Sequence, residues 1–140
     1  MKARYLTILG IGMLLGLQAP VLAQSKKDIR EKNIRSITVE EYFLEEGINE
    51  PSVESVETYN ADGELVEIKE FNRRGEVKRW EKYSYDEEGN RVEEIFFDEK
   101  GRVESMERTI YEEGLKVERQ YFNDREKMVK KKVYVYEYRK

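Results

Sequence analysis

Catalytic chemistry has few starting points in this sequence. Neither histidine nor cysteine occurs among the 140 residues. That removes the usual neutral-pH base, the thiolate nucleophile, disulfides and metal sites of the His/Cys kind. Ser25, Ser36, Ser52, Ser55, Ser84 and Ser105 would need another base, and no Ser-x-x-Lys setting supplies one. No glycine-rich phosphate loop is found. Carboxylates abound, as in Glu45-Glu46, Glu87-Glu88, Glu93-Glu94 and Glu112-Glu113. A hydrolytic pair must converge across a cleft, whereas neighbours along strands and turns point apart or into water. The acidic segments Asp86-Glu87-Glu88-Gly89-Asn90 and Asp98-Glu99-Lys100-Gly101 lack the alternating ligands of a calcium loop. Their leading aspartates suit turn capping instead. The expectation is a protein that is not an enzyme and uses no cofactor and no metal.

Recognition is better provided for. The chain has ten tyrosines, five phenylalanines and one tryptophan. Trp80, Tyr83, Tyr85, Tyr111, Tyr134 and Tyr136 form a candidate interaction surface, since aromatic platforms stack on glycans and anchor protein partners. The plainer role for the same rings is packing within the fold. Lys127, Lys130, Lys131, Lys132, Arg139 and Lys140 make a basic pole on a chain with 26 basic and 30 acidic side chains. The acidic balance disfavours nucleic acid, whose binding depends on neutralising phosphates.

The elements that would position these rings are written in a repeat. Tyr59-Asn60-Ala61-Asp62-Gly63, Phe71-Asn72-Arg73-Arg74-Gly75, Tyr85-Asp86-Glu87-Glu88-Gly89 and Phe97-Asp98-Glu99-Lys100-Gly101 share one pattern. A shortened copy stands at Tyr111-Glu112-Glu113-Gly114, and Phe122-Asn123-Asp124-Arg125-Glu126 has lost its glycine. Tyr59, Tyr85 and Tyr111 are spaced by 26 residues, as are Phe71 and Phe97, and Val77, Val103 and Val129. Trp80 aligns with Met106 on the same period.

Asx followed three residues later by Gly is turn chemistry. The intervening runs, Glu64–Phe71, Glu76–Tyr85, Arg91–Phe97 and Arg102–Tyr111, have strand lengths and β-branched or aromatic content. Consecutive strands joined by tight turns are antiparallel. The expected fold is all-β: a meander of tandem β-hairpins with 26 residues per unit, about eight strands, as a single twisted sheet or a thin half-barrel. Ile34–Leu44 reads as an opening strand and Met128–Tyr138 as a closing one. Imperfect alternation predicts a thin apolar layer whose rings are covered by Lys, Arg and Glu stems. The lysines at 130–132 blunt an exposed edge.

The aromatic-Asx-x-x-Gly pattern at Tyr59–Leu65, Phe71–Val77, Tyr85–Val92 and Phe97–Val103 resembles the YD repeats of RHS-type proteins, and its rhythm is similar to MORN-like hairpin repeats. The resemblance spans about residues 53–130. It implies an array of antiparallel hairpins and carries no catalytic residue with it.

The N-terminus carries an export pattern. Lys2 and Arg4 precede an apolar run from Leu6 to Leu17, and Pro20 is followed by Val21-Leu22-Ala23. The run suits a signal peptide better than a membrane span. The expected organisation is a signal peptide at 1–23 cleaved after Ala23, a flexible polar lead or short helical turn at 24–33, and one β-repeat domain at 34–140. After cleavage no transmembrane segment is expected, and the destination is periplasmic or extracellular. The function expected is a structural or interaction role in the cell envelope. A periplasmic carrier of lipid or another ligand on a concave aromatic face is the alternative, and a carboxylate-dependent hydrolase the second.

Overall fold

Asn60, Asn72, Asp86, Asp98 and Asn123 each open a tight turn in the computed structural model, which describes residues 25–44, 47 and 50–139. The expected signal peptide lies outside the described residues. The turns share one construction. The Asn60 Oδ1 accepts from the amides of Asp62 and Glu64 at 3.1 and 2.9 Å. The Gly63 amide donates to the Asn60 carbonyl, and the Asn60 amide to the Glu64 carbonyl. Asn72, Asp98 and Asn123 repeat this double acceptance. Asn123 does so although Glu126 stands in place of the glycine and adopts φ +57°. The capping side chain therefore holds the turn without the residue best suited to its left-handed position.

These five turns, with a two-residue turn at Glu113-Gly114 between β6 and β7, join β2 (Ser52–Tyr59), β3 (Leu65–Phe71), β4 (Val77–Tyr85), β5 (Arg91–Phe97), β6 (Val103–Glu112), β7 (Leu115–Asn123) and β8 (Met128–Val133). With β1 (Ser36–Glu41) they form one antiparallel sheet in sequence order, β1 through β8, and β8 does not return to pair with β1. The meander expected from the repeat is thus an open eight-stranded sheet. Its register slips by one residue at every hairpin of the repeat, and each slip falls at the repeat aromatic: Tyr59, Phe71, Tyr85, Phe97, Tyr111 and Phe122. Such bulges raise local twist and re-aim the side chain beside them.

Alternation along the strands then sorts the aromatics. Tyr59, Tyr85 and Tyr111 share the face of Tyr83, at the end where β2, β4 and β6 turn. Phe71, Phe97 and Phe122 share the face of Trp80, at the opposite end. The choice between Tyr and Phe in the repeat therefore tracks both sheet face and sheet end.

Three details refine or correct the sequence reading. Of the two forms expected of the lead segment the chain takes the helical one, α1 (Lys26–Glu31), capped by Ser25, whose Oγ accepts from the Asp28 amide at 3.1 Å. Its Ile29 is the most deeply buried side chain described, at 1 % exposure. The closing strand ends at Val133 rather than Tyr138. Beyond it the Tyr134 amide donates to the Val117 carbonyl and the Tyr136 hydroxyl to the Lys116 carbonyl, so the chain still follows β7 off the regular ladder. Finally, the two-residue turn at Glu113-Gly114 shortens the last unit by one. Phe97 pairs with Val103, and Phe122 pairs with Met128, so Met128, and not Val129, is the structural counterpart of Val103.

Packing is thin. Only Ile29, Ile68 and Tyr83 are buried among the described apolar side chains. Cationic stems cover the rings as expected: Lys69 lies 3.9 Å from the Trp80 ring centre, Arg91 4.1 Å from Tyr83 and Lys130 3.8 Å from Tyr121. Each such contact contributes about 0.5–1 kcal/mol when exposed, and cross-strand charge pairs add a few tenths each, about 0.2–1 kcal/mol.

Candidate functional site

The aromatic residues singled out in the sequence do not converge. Tyr83 and Tyr85 lie on one face of β4 and Trp80 on the other. Tyr83 is 6 % exposed. Its hydroxyl donates to Glu81 and accepts from Arg79 Nη2 at 3.4 Å. Burial, and then the Glu81 carboxylate, push the Tyr83 phenol well above its ordinary range. Arg79 also reaches Glu81 at 2.5 Å and Glu70 at 3.0 Å, and its hydrogen bond to Glu81 holds its charge firmly. For Glu81, burial opposes ionisation, but Arg79 and Tyr83 together bring its carboxyl below the usual range. This is a satisfied charge network, and it leaves Tyr83 no free surface.

Trp80 is equally engaged. It stacks on Phe97 with ring centres 4.8 Å apart, and its Nε1 donates to Glu67 at 2.7 Å. Lys69 covers the ring and Gly101 approaches it closely. Tyr85 donates to the Leu65 carbonyl at 2.7 Å, and Tyr136 repeats that clasp on Lys116. Tyr111 lines a shallow hollow of 360 Å³ with Ser84, Glu93 and Arg108. Tyr134 is half-buried beside β7. The six rings thus act mainly as clasps and packing partners distributed over both faces.

A more concentrated site lies beneath α1, at the tyrosine end. Lys26, Glu57, Tyr59, Glu64, Tyr85 and Arg91 line an open cleft of 290 Å³. Glu64 is 8 % exposed and accepts from Lys26 Nζ at 2.6 Å and from Asn60 Nδ2 at 2.9 Å. The Lys26 hydrogen bond holds its carboxyl below the ordinary value of 4.5 against the cost of burial. Tyr59 donates to Glu57, and burial, then that carboxylate, raise its phenol pKa. Gly63 is required here: a Cβ would lie 2.3 Å from the Lys26 carbonyl. These groups dock the helix on the sheet. The sequence held no sign of them, because Glu64 is one glutamate among many and its partner lies 38 residues away.

Among the described residues no group of three or more Asp or Glu side chains is arranged to hold an ion. A second charge cluster, Arg119 with Glu94 at 3.3 Å and with Glu107, ties β5, β6 and β7 on the Tyr83 face. No helix among the described residues is long and apolar enough to cross a membrane. No protein-family model, curated protein or solved structure matches the chain.

Proposed function

We propose that this is an exported, non-enzymatic β-repeat protein that acts as an interaction scaffold in the cell envelope. The observation that carries the reading is the open sheet: β8 does not close onto β1, and the three hollows lined by Phe97, Tyr111 and Tyr59 among the described residues are open rather than enclosed. A lipid carrier needs an apolar cavity that shields its cargo from water. Here the rings are instead clad by cations and committed to hydrogen bonds. A hydrolase needs two acids facing a substrate with separated pKa values. The more buried acids described here, Glu64, Glu67, Glu81, Glu94 and Glu107, are each engaged by Lys, Arg, Trp or Tyr, and the unpaired ones, such as Glu40 and Glu41, are exposed. What such a sheet offers is surface and two edges. The export half of the proposal rests on the pattern from Lys2 to Ala23.

The test is expression in a two-membrane bacterium, with cell fractionation and mass spectrometry of the protein and of whatever co-purifies. The expected result is an N-terminus at Gln24, recovery outside the cytoplasm, and a protein or glycan partner. A bound lipid in stoichiometric amount would replace the scaffold with the carrier, and an uncleaved cytoplasmic product would end the envelope assignment.

A further inference from the structure

The two edges of the sheet carry opposite charge. Among the described residues β8 pairs only with β7 and β1 only with β2, so each presents an outer row of backbone donors and acceptors without a strand partner among them. The β8 edge carries Lys130, Lys131 and Lys132, and every residue of this strand is exposed. The β1 edge carries Glu40 and Glu41, both exposed and without an ion pair among the described residues. We infer that the basic β8 edge takes the acidic β1 edge of a second copy, extending the sheet end to end.

Strand direction permits it. An antiparallel meander with eight strands places its next strand parallel to its first, so a second copy continues the alternation of directions without inversion. Register permits it as well. Lys131 lies across from Gln120, Arg108, Glu93 and Ser84 in successive strands, which puts it on the Trp80 face. Lys130 lies across from Tyr121, Glu107, Glu94 and Tyr83, on the other face. On β1, Ile37 lies across from Glu57 and hence shares a face with Ile68 and Glu81. Alternation along β1 then assigns Glu41 to the Tyr83 face and Glu40 to the Trp80 face, since the register shift between Val39 and Glu40 leaves its extra residue, Glu54, on β2. An antiparallel register that sets Lys131 across from Glu40 also sets Lys130 across from Glu41, and both faces run on unbroken.

The lysines have partners within the chain, and these leave room for another. Lys131 reaches Glu118 at 3.1 Å, and Lys130 and Lys132 lie over the Tyr121 ring at 3.8 and 5.6 Å. An ammonium carries three donors, so neither arrangement exhausts it. The same charges disfavour like-with-like contacts wherever lysines would meet lysines across two β8 edges or glutamates meet glutamates across two β1 edges. The lysines that guard this edge against indiscriminate pairing therefore also select its partner. Because the contact joins two different patches, it propagates into chains of copies rather than closing as a two-fold dimer.

This inference rests on the scaffold reading only through the open edges. A lipid found in the fractionation experiment would sink that reading and leave the edge test unchanged. The test is sedimentation of the purified full-length protein over a range of concentration and salt, beside K130E/K131E/K132E, E40K/E41K and an equimolar mixture of the two variants. Circular dichroism of each variant serves as the control that its sheet is kept. The expected result is concentration-dependent association of the wild type that weakens with salt, roughly tenfold or greater weakening in either variant alone, and recovery in the mixture, where opposite edges again meet. A wild type that stays monomeric at low salt overturns the inference. So does association that survives every charge reversal, as self-association through the apolar run at residues 6–17 would.

Discussion

Gly101 packs against the face of Trp80: a Cβ at this glycine would lie 2.7 Å from the Trp80 Cζ3. Gly75 has the same φ of +78° at the equivalent turn, with nothing within 4 Å of such a Cβ. The pair separates backbone strain from packing. Gly75→Ala is expected to cost about 1 kcal/mol, the penalty of a side chain in the left-handed region. Gly101→Ala carries that penalty and must also move the indole off Phe97 and Glu67, adding about 1–2 kcal/mol. Denaturant unfolding measures the difference. Trp80 is the single tryptophan, so its fluorescence should shift in Gly101→Ala and not in Gly75→Ala.

Glu64 couples the docking of α1 to pH. Its carboxyl is held below the ordinary 4.5 chiefly by Lys26, so the folded state binds that proton less readily than the unfolded chain does. The contribution is complete above the ordinary value and is lost as pH falls through the depressed one. Lys26 is half exposed, which limits the effect to about 1 kcal/mol. Glu64→Gln should therefore be less stable than wild type by about that amount at neutral pH. The two unfolding curves should converge in acid, where wild-type Glu64 is itself neutral.

Much of this architecture could be read from residue spacing. Asx and Gly placed three apart fixed the turns, and the turns fixed the antiparallel order. What escaped had physical reasons. The six-residue helix at Lys26–Glu31 is too short to display an apolar period, and its docking depends on one isoleucine and one distant glutamate. The end of β8 is set by its partner, because β7 begins only at Leu115 and leaves Tyr134 to Tyr138 little ladder to join. The shift from Val129 to Met128 follows from one residue missing at Glu113-Gly114, which a search for fixed periods passes over. The candidate aromatic surface dispersed because alternation sends Trp80 and Tyr83 to opposite faces, and residue type alone does not reveal which rings the neighbouring stems cover.

Glu126 offers a gain in stability. It occupies the left-handed position with φ +57° in the turn that Asn123 caps. Glu126→Gly should relieve that strain, offset in part by greater freedom of the unfolded chain, for a net gain of about 0.5 kcal/mol. The denaturant midpoint should rise with an unchanged slope, and amide exchange in β7 and β8 should slow.

Tyr83 and Tyr136 were candidates for the same surface, and removing one hydroxyl from each separates their roles. The Tyr83 hydroxyl is buried and links Arg79 to Glu81. Tyr83→Phe deprives the largely buried Glu81 of a donor, and should cost about 1–2 kcal/mol at neutral pH. Tyr136 is exposed, so water replaces its bond to the Lys116 carbonyl, and Tyr136→Phe should change stability by less than about 0.5 kcal/mol. Alkaline pH provides a second readout. The Tyr83 phenol is raised above its ordinary 10.0, first by burial and then by Glu81, so its contribution is complete below pH 10.0 and is lost as pH climbs toward the raised value. The gap between wild type and Tyr83→Phe should accordingly narrow above pH 10.0, while Tyr136→Phe tracks the wild type throughout. Equal costs for the two substitutions in denaturant unfolding would show that Tyr83 is not the buried member of the pair.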